Sequence, residues 1–331
     1  MGNLARRVLG ISAAETTFER RRFRCDRAEV RERLEAVGRS FVFGYHSALE
    51  TGGLDALAAR LDSSTAEMRG FVYEGAAMGL TVLDALTPWR RGRLAAFIAG
   101  PAAPHTYLAH VGAGWALARL PLQPARLVAR LDPRAGWLAL DGYGFHQGYF
   151  RWPRAVGAHE VPRRLRGYAR RAFDQGLGRS LWFVEGASTR RIAAAIATFP
   201  AGRQPDLWSG VGLACAYAGG AARGEIEELR EAAGAAAAEL ALGAAFAAEA
   251  RVLGGNLAPH TELACMVLCG CSAAQASALT REAQPETRPE AQEHPQGGLT
   301  NPAQDPPYEV WRQRLRARFM AEPARLALQC S

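Results

Sequence analysis

Apolar positions along this chain recur with a helical period. In GLDALAARLD, residues 53–62, Leu54, Leu57 and Leu61 fall on one face. QPARLVARLD, 123–132, aligns Leu127 with Leu131, and STRRIAAAIAT, 188–198, has the same kind of spacing. Each begins near a Gly, Pro, Ser or Thr, the residues that open helices. Between these short amphipathic segments lie longer ones marked by glycine and aromatic residues: FVFGYHSAL, FVYEGAAMGL, LAHVGAGWALARL, LALDGYGFHQGYF, FDQGLGRSLWFVEG, LWSGVGLACAYAGG and LALGAAFAAEA. Their reference glycines are Gly44, Gly75, Gly112, Gly142, Gly176, Gly210 and Gly243, spaced 31, 37, 30, 34, 34 and 33 residues apart.

A period near 34 residues predicts stacked helical hairpins. The expected fold is all-α, with about seven helix pairs in a curved solenoid of the tetratricopeptide kind or in a closed α/α toroid. Glycine inside a helix costs about 1 kcal/mol against alanine, so its recurrence needs compensation. Close backbone approach supplies it, with Trp115, Phe145, Trp182, Trp208 and Phe246 filling the remaining space. These glycine-bearing helices are therefore the expected inner ones, and in a toroid they would surround a central cavity.

The regular pattern ends with HTELACMVLCGCSAAQASALTREA, which sets a helical-repeat domain at residues 1–282. Residues 283–307, rich in Pro, Gly, Gln and Glu without periodicity, read as a disordered linker. Residues 308–331 read as a basic amphipathic helix, with Val310, Trp311, Leu315 and Phe319 on the side that docks on the body or on a partner.

With 331 residues, 49% of them apolar, the chain can bury a large core. The net charge is +8, yet all 40 basic residues are arginine and they are dispersed, with no stacking platform among them. Nucleic acid is therefore not an expected partner. The N-terminus lacks the apolar core of a secretion signal, and no apolar run approaches the roughly 20 residues of a membrane span. Six cysteines in a chain of this length point to a reducing compartment, and a cytoplasmic location is expected.

Candidate chemistry centres on polar residues near the glycines. Glu74, Asp141 and Ser209 each precede a reference glycine. As helix-start residues they would cap free backbone NH groups. Alternatively Glu74 and Asp141 face one cavity, one protonated and one ionised, as a general acid/base pair. His146 lies one helical turn beyond Gly142, and with His46 and His110 it either packs between repeats or lines a common surface for a proton relay or metal. Glu262, Cys265 and Cys269 share a helical stripe near His260 and Cys271, although ELACMVLCGC is apolar enough to be core and contains no CxxC. No metal site and no cofactor is assigned on these patterns. Asp174, Arg179 and Glu185 flank QGLGRSLW as buried ion-pair members or substrate contacts. There is no GxSxG, no P-loop and no GxGxxG in a strand–turn–helix setting, which removes support from hydrolase and nucleotide-dependent readings.

At AETTFERRRF, RGFVYEGAAMGL, HVGAGWALARLP, LDGYGFHQGYF, RAFDQGLGRSLWFVEGA, DLWSGVGLACAYAGG and HTELACMVLCG the chain resembles a bacterial family of unknown function often called UnbL-like. The resemblance covers roughly residues 1–282 and carries no catalytic assignment. It implies a setting in enediyne polyketide biosynthetic clusters, beside proteins called UnbV and UnbU. The expected role is accessory: binding or processing a hydrophobic polyene intermediate, with Glu74, Asp141, His146, His110 and Glu262 as acid/base candidates. A non-catalytic scaffold gathering pathway proteins is the other class, since helical repeats bind more often than they catalyse.

Overall fold

Seventeen α-helices and no strand occur among the described residues, so the fold is all-α as the apolar spacing predicts. The structure is a computed structural model describing residues 2–87, 89, 92–286 and 305–329. In chain order the helices are α1 (Gly2–Leu9), α2 (Phe18–Arg21), α3 (Ala28–Glu50), α4 (Leu54–Asp62), α5 (Ala66–Leu86), α6 (Arg93–Ala99), α7 (Thr106–Arg119), α8 (Pro124–Val128) and α9 (Leu138–Phe150). They continue as α10 (Tyr168–Val184), α11 (Thr189–Ala197), α12 (Gln204–Ala218), α13 (Arg223–Ala233), α14 (Ala237–Leu253), α15 (Pro259–Leu268), α16 (Ala273–Glu282) and α17 (Pro307–Gln329).

All seven reference glycines lie inside helices, and those helices pack in series: α3 on α5, then α7, α9, α10, α12 and α14. The seams are backbone on backbone. A Cβ added at Gly112 would overlap the carbonyl oxygen of Glu74; at Gly142, that of Val111; at Gly176, that of Asp141; at Gly210, that of Gln175; at Gly243, that of Ser209. In each case the oxygen belongs to the residue just before the preceding helix's own reference glycine. A second glycine two positions later faces the next helix in the same way, with Gly114 against Ala139, Gly144 against Phe173, Gly178 against Leu207 and Gly212 against Leu240. The absent side chains thus bring neighbouring axes close enough to offset the propensity cost of glycine through dense packing.

The last members of the series meet the first. Arg251 Nη1 of α14 donates to the Glu67 carbonyl of α5 at 2.6 Å, and Asn256 Nδ2 donates to that of Ala66 at 3.1 Å. Arg33 Nε of α3 reaches the Ala218 carbonyl at the end of α12 at 2.5 Å. The short helices α4, α6, α11 and α13 supply outer faces: Leu57, Leu61, Phe97, Ile192, Ile196, Ile226 and Leu229 are buried, while most of their intervening positions are exposed. The pairing is not uniform. Helix α8 stops at Val128, before Leu131 can join Leu127 on one face, and between α9 and α10 only a five-residue π-helix, Pro153–Gly157, interrupts the connection.

Both chain ends fold back over the series. Residues 287–304, the middle of the expected linker, lie outside the described residues; α17 begins at Pro307, with Tyr308, Trp311, Leu315 and Phe319 buried against the body. Helix α17 meets the N-terminal parts of the long helices, through Tyr107, Arg171 and Asp206. The segment around Leu9–Glu15 meets their opposite ends, where Arg119 and Tyr149 donate to the carbonyls of Leu9 and Glu15. Among the described residues no single helix is long and apolar enough to cross a membrane; α15 and α16 meet that test only jointly and are bent by 68°.

Candidate functional site: an apolar cavity with one polar corner

Between the helices of the series lies a cavity to which all seven long helices contribute, with walls that include Phe41, Phe71, Trp115, Phe145, Phe183, Tyr217 and Phe246. About 80 Å³ of it is open to the centre of a water molecule. Aromatic rings interlock along it: Phe41 stacks on Trp115 at 4.1 Å between centroids, and Trp115 tilts against Phe145 at 5.3 Å. Ile11, Glu15 and Thr16 line one end. At the other, Tyr308 and Trp311 of α17 pack on the lining residue Phe246, and Trp311 also packs on Tyr107.

The polar corner is built by Glu74 of α5 and Arg179 of α10, which line the cavity, and by Asp141 of α9 behind them. Arg179 Nη1 donates to Asp141 Oδ1, and its Nη2 lies 3.8 Å from Glu74 Oε1. Gln175 Nε2 donates to the other Asp141 oxygen at 2.8 Å and contacts the Tyr308 hydroxyl at 3.0 Å. Trp115 Nε1 donates to Glu74 Oε1 at 3.1 Å. The guanidinium of Arg179 also lies 4.9 Å from the centre of the Phe145 ring.

One cation serves two buried carboxyls, so the corner is neutral only if one of them keeps its proton. Burial raises both. Asp141 receives the direct guanidinium bond and the Gln175 amide, which stabilise a carboxylate there. Glu74 receives one indole NH and a more distant cation; burial pushes it up to about 7, with Asp141 adding to the rise and Arg179 and Trp115 opposing it. The proton therefore belongs on Glu74 and the charge on Asp141. Of the two carboxyls expected to face one cavity, Glu74 lines it and Asp141 does not.

Neither residue caps a helix. Glu74 lies well inside α5 and Ser209 inside α12, while Asp141 sits in the first turn of α9 with its side chain spent on Arg179 and Gln175. The capping expectation fails because the helices begin earlier than the glycines suggest, at Ala66, Leu138 and Gln204.

The other candidates lie apart. His146 packs on Trp115 at 5.4 Å and on Phe150 at 4.6 Å with its Nδ1 unbonded; burial pushes it down to about 3, so it is a neutral ring behind the wall. His110 Nδ1 is bonded to the Thr106 carbonyl at 2.7 Å and the residue borders a separate groove with Asp84, Arg130 and Asp132. His46 Nε2 accepts from the Ile11 backbone at 3.1 Å, so the three histidines share no surface. Glu262 Oε2 accepts from the Ala273 backbone at 2.9 Å, holding the start of α16, while the Cys265 and Cys269 thiols turn to the Ala244 and Ala241 carbonyls of α14. Among the described residues no three His, Cys, Asp or Glu side chains gather as a metal-binding group. Of the trio around QGLGRSLW, Arg179 joins the corner, whereas Asp174 pairs with Arg203 and Glu185 with Arg24 and Arg191.

Gln175 and Tyr308 are participants that the sequence did not single out, and Trp115 was expected there only as packing. A signal was present for the first. The residue before a reference glycine is polar at Glu74, Asp141, Gln175 and Ser209, and all four side chains are buried.

The profile of the family described as "Protein of unknown function (DUF1702)" matches residues 1–319. No curated protein and no solved structure matches the chain.

Proposed function

The chain belongs to the DUF1702 family, whose function is unknown, and we propose from the cavity that it binds an elongated, neutral hydrophobic molecule of the polyene class inside a closed α/α toroid of helix pairs. The contacts of Arg251 and Asn256 with α5 support the closed reading over an open solenoid. The carrying observation is that seven helices present an almost wholly apolar, aromatic wall to one shared space, with Glu74 and Arg179 as its polar corner. Such concave apolar sites with a few placed polar groups suit small-molecule binding. Arg179 is already neutralised by Asp141, so the corner offers no free cation to a carboxylate or phosphate head group. A neutral occupant fits it best. The resemblance to UnbL-like sequences adds that the occupant is a polyene intermediate of an enediyne-type pathway and that the protein is accessory to that pathway.

Titration with the neutral fluorescent triene diphenylhexatriene tests this reading. Saturable, one-to-one fluorescence enhancement is expected. Ala214→Trp, which fills the cavity, abolishes it while the far-UV circular dichroism stays helical. Absence of binding, or binding indifferent to Ala214→Trp, rejects the cavity and favours the scaffold role. In a producing strain, the pathway product is lost on in-frame deletion and is not restored by the Ala214→Trp gene.

A further inference from the structure

Resting on the reading of the cavity as a polyene site, we propose that Glu74 is a Brønsted acid that protonates a carbon–carbon double bond of the bound polyene and so initiates its cyclisation or double-bond isomerisation. The geometry assigns each neighbour a part. Asp141 is held as the permanent counter-ion of Arg179 by the guanidinium and by Gln175, which leaves Glu74 as the carboxyl that carries a transferable proton into the apolar space. When that proton leaves, the Glu74 carboxylate is met by Trp115 Nε1, already at 3.1 Å, and by Arg179 Nη2 at 3.8 Å. The conjugate base is thus stabilised by groups that need not move. A raised affinity for the proton keeps Glu74 loaded near neutral pH.

The step balances without a co-reactant. The O–H bond of Glu74 breaks as a C–H bond forms at one alkene carbon, and the adjacent carbon becomes cationic. In cyclisation the π electrons of a second double bond close a C–C bond on that centre. Loss of a proton from a neighbouring carbon to the Glu74 carboxylate then regenerates both alkene and acid, and the product is an isomer of the substrate. Phe41, Trp115, Phe145 and Phe246 face the space in which the cation forms, and aromatic faces attract cations most strongly where water is excluded. The substrate class is therefore a neutral polyene, not an acid or a diphosphate. A reaction that builds or releases such a hydrocarbon chain precedes this one.

The experiment incubates the purified protein with β-farnesene or squalene in deuterated water and reads deuterium incorporation by mass spectrometry. Diphenylhexatriene binding is measured on every sample. Wild type is expected to incorporate carbon-bound deuterium into at least one of the two. Glu74→Gln, compared with wild type at saturating probe, loses incorporation by a factor on the order of 10² or more, and Glu74→Asp restores part of it. Asp141→Asn also loses incorporation, because Arg179 then pairs with Glu74 and ionises it. No incorporation into either probe by a protein that binds diphenylhexatriene overturns the acid role and leaves the binding function standing. Incorporation that survives Glu74→Gln overturns it too. Failure to bind diphenylhexatriene overturns both.

Discussion

The α-carbon of Gly112 rests on the main-chain oxygen of Glu74, so that one backbone contact both seals the α5–α7 seam and fixes the carboxyl at the cavity's polar corner. Gly112→Ala gains about 1 kcal/mol of helix propensity, yet its Cβ has no room. A net loss of about 1–3 kcal/mol in denaturant unfolding is expected, as for other overpacked cores. Gly224→Ala is the control: it lies in α13, exposed, with nothing near a new Cβ, and should be neutral or slightly stabilising. Equal effects at the two positions would dispose of the backbone-seam account.

Arg179→Met leaves Asp141 buried beside Gln175 without its cation. Losing one partner of a buried pair costs about 3–5 kcal/mol. Adding Asp141→Asn should recover much of that loss, and a double-mutant cycle in urea measures the coupling.

Glu74 gives stability a definite pH dependence. Its folded pKa is raised from 4.5 to about 7, so the folded state holds the proton more tightly than the unfolded chain does. The resulting stabilisation is complete below 4.5 and is lost as pH rises through about 7. Relative to Glu74→Gln, wild type should lose on the order of 3 kcal/mol across that window. A parallel pair of stability–pH curves would show that Glu74 is not the buried acid.

His146 acts in the opposite sense. Its folded pKa is depressed from 6.5 to about 3 by burial, with Arg119, Arg151 and Arg21 nearby. Stability is therefore present above 6.5 and is lost as pH falls toward 3, a contribution on the order of 5 kcal/mol. His105 and His260, both lowered to about 4, add to the same acid limb, so the test is the difference between wild type and His146→Phe. That difference should shrink progressively below pH 6.

Trp311 packs behind the lining residues Phe246 and Tyr107 and donates to the Thr280 carbonyl at 2.7 Å. Trp311→Ala should cost about 3–5 kcal/mol. Its diphenylhexatriene on-rate and off-rate should both rise in stopped flow. A stability loss with unchanged exchange kinetics would mean that this end is not the route of entry.

The helical class was legible because Leu54, Leu57 and Leu61 repeat at a helix period, and the seven glycines marked the long helices because only close backbone approach makes them tolerable there. Helix starts were not legible. Asp141 looks like a cap when the helix is begun at Gly142, and nothing local reveals that Leu138 already belongs to it. The pairing of Glu74 with Arg179 and Asp141 spans three helices, so it depends on packing that no single segment encodes. His110 and Glu262 were attractive by residue type alone. Local bonds to Thr106 and Ala273 employ them instead.

The backbone seams have a mechanical consequence. Where glycine meets carbonyl, backbone lies directly on backbone, so these points of the wall have little room to give. Any adjustment of the cavity's length then falls to the Ile11–Thr16 segment that lines one end and to Tyr308 and Trp311 of α17, which back the lining residue Phe246. If the proposed binding function holds, relatives that take longer or shorter molecules should differ in these two segments and keep the glycines of the long helices.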